Sequence, residues 1–220
     1  MKIHYEDNHI VLIDKKPHVP TQEDSSKDLD TLSMVREYLR VTYNKPGNVY
    51  TGLVHRLDRP VGGLMVFAKT SKAASRLSDQ IRRKVFNKTY IAVVEGKVEP
   101  GFYKDYMFKD RKTNTSYVTN KNHKDAKEAI LEILNSSYNE RENLSLVTIN
   151  LITGRSHQIR VQFSSRDHAL WGDARYNKAS KVGQDIALWS YGLEFDHPTT
   201  KKRLTLTSQA PNVYPYNLFK

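Results

Sequence analysis

The sequence predicts an α+β fold with a bent sheet that is mixed but mostly antiparallel, flanked by helices and loops. Short apolar runs with the length and composition of strands dominate the chain. Several of these runs follow one another without an intervening helix, and amphipathic helical segments occur only between some of them. A doubly wound parallel sheet needs a crossover helix after almost every strand, so this spacing argues against one.

Toward the N-terminus, the sequence predicts a strand hairpin followed by two helices with further strands. Prolines at 17 and 20 exclude a helix after the hairpin, and residues 22–28 form a polar loop. Asp30 is suited to the N-cap of the first helix, and Thr70 or Ser71 to that of the second. Apolar residues at helical spacing form the inward faces of these helices: Leu32, Val35 and Leu39, then Ala74, Leu77 and Ile81. Strands are predicted at residues 3–5, 10–13, 64–68 and 90–94.

The C-terminal half predicts two more hairpins and one short helix. Ser156 is suited to cap a helix that runs to about Phe163. The hairpins pair residues 129–134 with 144–149, and 186–195 with 203–207. Together these elements predict a single domain over residues 1–220, a length that can bury a substantial core.

The composition excludes several classes of chemistry. The chain has no cysteine, which rules out disulfides, iron–sulfur clusters, cysteine zinc sites and thiol catalysis. The eight histidines show no metal-ligand spacing with carboxylates, so no metal is expected. No run approaches the ~18 apolar residues of a membrane-spanning helix, and the N-terminus lacks the apolar region of a signal peptide. We therefore expect a cytoplasmic protein without a membrane partner.

The net charge of +11 and the sequence pI near 9.6 indicate an affinity for polyanions. A charge that serves only solubility is the alternative, but nucleic acid is favoured as the partner. The basic clusters that could contact phosphates are Arg82-Arg83-Lys84, Lys109 with Arg111-Lys112, Lys121 with Lys124, and Lys201-Lys202-Arg203.

The run from His55 to Leu64 contains the strongest candidate for catalysis. It places Asp58 between Arg56 and Arg59 before an apolar strand, and nearby positive charge favours the ionised carboxylate. An ionised, positioned carboxylate can act as a nucleophile. Taken alone, the run would favour a turn or cap residue at Asp58 over a nucleophile, and Gly62-Gly63 indicates a tight turn.

Several runs, in this order, carry a resemblance to a known family. They are Asp14-Lys15-Lys16-Pro17, His55 to Leu64, Lys88-Thr89-Tyr90, Thr153 to Arg160, Gly172-Asp173 with Tyr176, and Phe195-Asp196-His197-Pro198. In these runs the chain resembles the RluA family of RNA pseudouridine synthases. The resemblance implies the pseudouridine synthase fold with RNA bound in a central cleft. From the resemblance we expect the catalytic domain only, without the N-terminal S4 RNA-binding domain that many relatives have.

The resemblance also implies the reaction and its requirements. The bond between N1 of uracil and the ribose breaks, the base rotates, and C5 joins C1′. The substrate supplies every atom of the product, so neither a cofactor nor a metal is expected. The partner is ribosomal or transfer RNA, and we expect a monomer.

By this resemblance, three residues are catalytic. Asp58 is the nucleophile, Arg160 pairs with it, and Tyr90 packs on the target uracil and can assist proton transfer at C5. Whether the aspartate attacks C1′, attacks C6 or assists a glycal intermediate stays open. Without the resemblance, Tyr90 would be an ordinary strand aromatic and Arg160 a surface helix residue.

Five more residues are expected to contact the substrate or the RNA. Arg56 matches an arginine that fills the gap left by the extruded uridine, although a structural salt bridge is its alternative. His55, Arg155, His157 and Gln158 complete the set, the two histidines more as hydrogen-bonding braces than as acid–base groups.

Two departures from the family pattern affect loops. Arg59-Pro60-Val61-Gly62-Gly63 replaces the commoner Lys-Asp-Thr-Ser-Gly after the nucleophile, and Lys16-Pro17-His18 lacks the usual small residue. Both changes bear on loop geometry and not on the nucleophile itself.

Two other functions compete with the synthase. A catalytically idle RNA-binding module would have no need for Asp58, Tyr90 and Arg160 together. A hydrolase using Asp58 would need a second carboxylate, a histidine acid or a metal cluster, and the sequence has no clear one.

Overall fold

The structure, a computed structural model, describes residues 1–219 and confirms the α+β class. It divides into two compact units, which are described separately. The first unit comprises residues 1–87 and 190–209, and the second comprises residues 88–189 together with those from 210 onward. The helices are α1 (Thr31–Thr42), α2 (Ser71–Arg82) and α3 (Gln158–Ser164), followed by a 3₁₀ turn at Tyr216–Phe219.

The sheet of the first unit contains the strands predicted near both ends of the chain. Its strands are β1 (Ile3–Glu6), β2 (Ile10–Lys15), β3 (Gly52–Leu53), β4 (Gly62–Ala68), β10 (Leu188–Asp196, from Ser190) and β11 (Arg203–Thr207). β1 pairs with β2, β2 and β3 with β4, and β10 with β11, all antiparallel. The predicted hairpins at residues 3–13 and 186–207 are therefore confirmed. The short β3 was not anticipated, because two residues carry no periodicity.

Both helices of this unit begin where the sequence predicts. The Asp30 side chain accepts a hydrogen bond from the Ser33 amide, and Thr70 accepts one from the Ala73 amide. These caps satisfy amides that otherwise lack a partner in the first helical turn. Leu77 of α2 is fully buried in a core formed by β2, β4 and β10, and its burial contributes about 2 kcal/mol.

The sheet of the second unit has the strand order β5-β9-β8-β6-β7. The strands are β5 (Asn87–Glu95), β6 (Gly101–Asp110), β7 (Thr115–Thr119), β8 (Lys127–Asn139) and β9 (Leu144–Leu151), and each adjacent pair is antiparallel. The predicted β8–β9 hairpin is confirmed. β6 and β7 were missed because most of their side chains are polar or only partly buried, which leaves little apolar signal.

Gly62-Gly63 does not form the predicted tight turn but begins strand β4. Gly63 has a φ of +115°, and a Cβ at this position would lie 2.4 Å from the carbonyl oxygen of Ser190. The glycine is therefore required by close approach of two backbones and by a conformation that other residues avoid.

Replacing Gly63 by alanine should lower the free energy of unfolding by about 3 kcal/mol or more, since the added Cβ meets backbone that cannot move aside. Gly183→Ala is the matched control, because Gly183 also has a positive φ (+88°) but no neighbour within 4 Å, and it should cost only about 1 kcal/mol. Urea unfolding followed by circular dichroism measures both. Equal losses would contradict the contact with Ser190.

Candidate active site

Asp58 lies half-buried in an irregular segment between β3 and β4 of the first unit. The Val61 amide donates to the Asp58 carbonyl oxygen at 3.0 Å, which closes a turn directly after the aspartate. On the other side, the Thr21 hydroxyl donates to the Leu57 carbonyl oxygen at 2.7 Å, and the Leu57 amide donates back to it at 3.3 Å. The backbone is thus held on both sides of the carboxylate.

Lys15, at the end of β2, is the principal anchor of this segment. Its side chain is only 1% exposed, and its Nζ donates to the carbonyl oxygens of Lys16 (2.9 Å), Arg59 (3.0 Å) and Val61 (2.8 Å). Burial lowers the pKa of Lys15 to about 8, and the negative charge of Asp58 opposes that shift. The sequence alone indicated no role for Lys15. The available signal was a charged residue at the end of a strongly apolar strand.

The two arginines beside Asp58 have different surroundings. Arg59 turns to the preceding polar loop, where its guanidinium bonds the side chains of Ser26 and Asp28 and lies 3.6 Å from Asp24. Its hydrogen bond lowers the pKa of Asp28. Arg56 is exposed and has no ion pair within residues 1–219. The two guanidinium groups predicted to flank Asp58 therefore differ, because that of Arg59 is bonded to the 24–28 loop and that of Arg56 is exposed.

His55 contacts strand β4. Its Nε2 accepts a hydrogen bond from the Val66 amide at 3.1 Å, and its ring packs near Phe86 with 5.9 Å between ring centroids. These contacts give His55 a positioning role beside the Asp58 segment.

In the second unit, Tyr90 lies on β5 and is 6% exposed. Residues two apart on a strand share a face, and the burial pattern of β5 places Lys88, Tyr90 and Ala92 on its buried face. Within residues 1–219, only this small fraction of the Tyr90 surface is accessible to solvent.

The helix that carries Arg160 begins differently from the prediction. α3 starts at Gln158, and its N-cap position is held by His157 in a left-handed conformation with φ of 54° and no side-chain cap. Ser156 is therefore not the N-cap, and Arg160 lies in the first helical turn. The reason is tertiary: His157 Nδ1 is 2.7 Å from the Tyr176 hydroxyl, a partner that no local pattern reveals.

Gln158 organises the turn before α3. It is buried, and its Oε1 accepts hydrogen bonds from the Thr153 hydroxyl (2.8 Å) and the Arg155 amide (2.9 Å). Its Nε2 donates to Gln162 Oε1 at 2.9 Å. Arg155 is exposed, and its Nε donates to the Glu128 carbonyl oxygen. Arg155 thus faces solvent, whereas the side-chain amide of Gln158 forms hydrogen bonds with other protein groups.

Arg160 is buried and forms a bidentate ion pair with Asp173. Its Nε and Nη2 each lie 2.7 Å from an Asp173 oxygen, and its guanidinium lies over the Tyr176 ring at 5.0 Å. Burial raises the pKa of Tyr176, so its hydroxyl stays protonated. Asp173 and Tyr176 belong to the run Gly172-Asp173 with Tyr176, but the sequence alone indicated no role for either residue.

The structure therefore places Asp58 with Lys15 in the first unit, and Tyr90 and Arg160 in the second. Within the second unit it brings Arg160 and His157 together around Tyr176. The pairing of Arg160 with Asp58 stays a prediction. Among residues 1–219, no group of three His, Asp or Glu side chains is arranged to hold a metal ion.

A family model described as RNA pseudouridylate synthase matches residues 9–165. A relative from Bacillus subtilis (strain 168), named "Uncharacterized RNA pseudouridine synthase YhcT", is 31% identical over 96% of this chain and 69% of its own length. A "Ribosomal large subunit pseudouridine synthase C" from Buchnera aphidicola subsp. Baizongia pistaciae is 30% identical over 96% and 67%. A "tRNA pseudouridine synthase C" from Haemophilus influenzae is 32% identical over 70% and 72%.

The fold agrees with these sequence matches. The solved structure of "Human RNA Pseudouridylate Synthase Domain Containing 4" superposes with a TM-score of 0.77 and 20% identity, covering 96% of this chain and 88% of the other. The α+β fold deduced from strand spacing is thus the one found in that structure.

Lys15→Met should lower the free energy of unfolding by about 2–4 kcal/mol, because carbonyl oxygens of Lys16, Arg59 and Val61 would lose their donor. Chemical denaturation measures this loss. The control is Lys16→Met, since Lys16 is exposed and its side chain should matter little. A Lys15→Met protein as stable as wild type would show that the loop does not depend on this ammonium.

Asp173→Asn should destabilise the protein by about 3 kcal/mol, since the buried Arg160 guanidinium would lose the charge of the carboxylate that it meets with two hydrogen bonds. Thermal unfolding by calorimetry tests this, with Asp125→Asn at an exposed loop position as the isosteric control. Equal melting temperatures for the two variants would refute the importance of the ion pair.

Proposed function

This chain belongs to the RNA pseudouridylate synthase family, and on that premise we propose that it isomerises uridines in structured ribosomal or transfer RNA with Asp58 as the nucleophile. As an RNA pseudouridine synthase it is an isomerase. The proposal concerns the substrate class and the residues that perform the reaction.

The observation that supports Asp58 most strongly is the anchoring of its backbone on both sides. The Thr21 hydroxyl donates to the carbonyl oxygen of Leu57, and the Lys15 ammonium donates to those of Arg59 and Val61. A nucleophile that is fixed before the substrate arrives loses less orientational freedom on reaching the transition state. A turn aspartate with only a structural role would not require a buried ammonium bonded to the segment that follows it.

The remaining residues divide into contacts and supports. Tyr90 offers its ring to the flipped uracil, and Arg160 provides the guanidinium that pairs with Asp58. Arg56 and Arg155 are exposed and contact RNA. His55, His157 and Gln158 act through the backbone and side chains that they hold, since each already bonds protein groups in this region.

The reaction proceeds without added reactants. The N1–C1′ bond of the uridine breaks, the uracil turns within the site, and a C5–C1′ bond forms while the C5 proton leaves. Asp58 serves this sequence by attacking C1′, by attacking C6 or by assisting a glycal. Each route requires an ionised carboxylate held against a base that has left the RNA stack.

Two observations support ribosomal or transfer RNA as the substrate class: the names of relatives and the positive net charge of the chain. The Buchnera relative is named for the large ribosomal subunit and the Haemophilus relative for tRNA. A net charge of +11 supplies the general attraction to phosphates that such binding needs.

The proposed setting is a monomer in the cytoplasm, with residues 1–220 acting as one catalytic domain. Within residues 1–219, no helix has the length and apolar character to cross a bilayer. RNA is the partner on which the proposal depends, and it names neither a metal nor a cofactor.

The proposal is tested by tritium release from RNA labelled at C5 of uridine, since isomerisation must free that hydrogen to water. Wild type should release tritium from ribosomal or transfer RNA, and Asp58→Asn should reduce the rate at least about 10³-fold, as expected for loss of a nucleophile. Asp125→Asn, with an exposed carboxylate, should release at the wild-type rate.

Two outcomes would contradict the proposal. No release by wild type, together with tight and salt-sensitive binding, would favour a catalytically idle RNA-binding module. Release by Asp58→Asn at the wild-type rate would remove Asp58 from the nucleophile role while leaving the activity intact.

A further inference from the structure

Lys88, at the start of β5, is a buried cation that the mechanism above does not use. Its side chain is 8% exposed, and it has no hydrogen bond or ion pair with any of residues 1–219. Burial lowers its pKa, and no carboxylate among residues 1–219 opposes that shift. By contrast, the buried cations Lys15, in the first unit, and Arg160, in the second, both have protein partners.

The position of Lys88 relates it to the uracil-binding side chain. Lys88 and Tyr90 are two residues apart on β5 and share its buried face. The Lys88 Nζ lies beside Gly154, where a Cβ would approach it to 3.3 Å. Gly154 is exposed and belongs to the turn that leads into α3. The ammonium therefore lies between the strand of Tyr90 and a solvent-facing glycine.

An unpaired buried ammonium destabilises the folded protein, because water solvates the charge better than apolar surroundings do. A methionine of similar length would fill this space without that cost. A negatively charged group on a ligand would compensate the cost, and the small exposed fraction of Lys88 leaves a way for such a group to approach.

We propose that Lys88 stabilises the negative charge that the target uracil carries during the isomerisation. The inference rests on the proposed function, in which Tyr90 stacks on that uracil. A phosphate is the other anionic group of RNA, but the shared strand face of Lys88 and Tyr90 favours the base. A flipped base enters the pocket, whereas its phosphate stays on the RNA backbone.

The chemistry places charge on the uracil in every route open to Asp58. When the N1–C1′ bond breaks, its electron pair stays on N1 and is delocalised to O2 and O4. When a carboxylate adds to C6, the electron pair of the C5–C6 bond moves toward O4. In both cases an ammonium beside the ring stabilises the charged species more than the neutral uridine. When C5 later bonds C1′, the ring gives up the C5 proton and N1 regains one, so no co-reactant is needed.

The test compares wild type with Lys88→Met by single-turnover tritium release at saturating enzyme, with RNA affinity measured separately by filter binding. We expect the rate constant to fall about 10²-fold, as for loss of one preorganised donor to developing charge. The dissociation constant for RNA should stay within about twofold, and the melting temperature should equal or exceed that of wild type. Lys88→Arg, which keeps the charge, should release tritium faster than Lys88→Met.

Lys97→Met is the matched control, since Lys97 is exposed, follows the same strand and pairs with Glu99 at the surface. It removes the same charge and should leave the rate constant unchanged. The control separates loss of net charge from loss of the ammonium at position 88.

Three results would overturn the inference. Weaker RNA binding with a lower salt slope and an unchanged rate constant at saturation would indicate a phosphate contact. A lower melting temperature with an unchanged rate constant would indicate a structural role. Equal release by Lys88→Met and wild type would refute it while leaving the proposed function standing, whereas no release by wild type would remove the proposed function first.

Discussion

The ammonium of Lys15 is the contact on which the geometry around Asp58 depends. A buried charge is tolerated only where hydrogen bonds replace its hydration, and here carbonyl oxygens of Lys16, Arg59 and Val61 do so. Two of those oxygens belong to the segment just after Asp58, so the same bonds that solvate the charge also shape the loop. Stability and the placement of the carboxylate proposed as the nucleophile therefore have one cause in this unit.

The second unit uses a buried ion pair for the same purpose. The planar guanidinium of Arg160 meets both oxygens of Asp173, which sets its orientation more strictly than a single contact would. Tyr176 lies under the guanidinium and also binds His157, which fixes the backbone just before α3. Lys88 is the exception in this unit, since its charge has no partner within the described chain, and this contrast makes it informative.

Local chemistry made much of the fold predictable. The caps at Asp30 and Thr70 depend on residues three positions apart, so the sequence is sufficient to identify them. Apolar runs in the sequence predict the buried strands of the first unit and the β8–β9 hairpin. β6 and β7 were missed because charged and polar residues interrupt their apolar and aromatic ones, and their pairing is decided by neighbouring strands. Ser156 failed as a cap because His157 has a distant partner in Tyr176.

By itself, the sequence determined the fold class, the family and the residue types that the reaction needs, because these depend on spacing and on chemical identity. Tertiary structure alone decided which charged groups are solvated by which partners. Local sequence marks Lys15 only as a charge at the end of an apolar strand, and it does not identify the partners of Lys15 or Asp173, because hydrogen-bond partners of a buried charge come from segments distant in sequence. The energy of a buried charge depends on those partners, and so only the folded chain distinguishes an anchored cation from one left for a ligand.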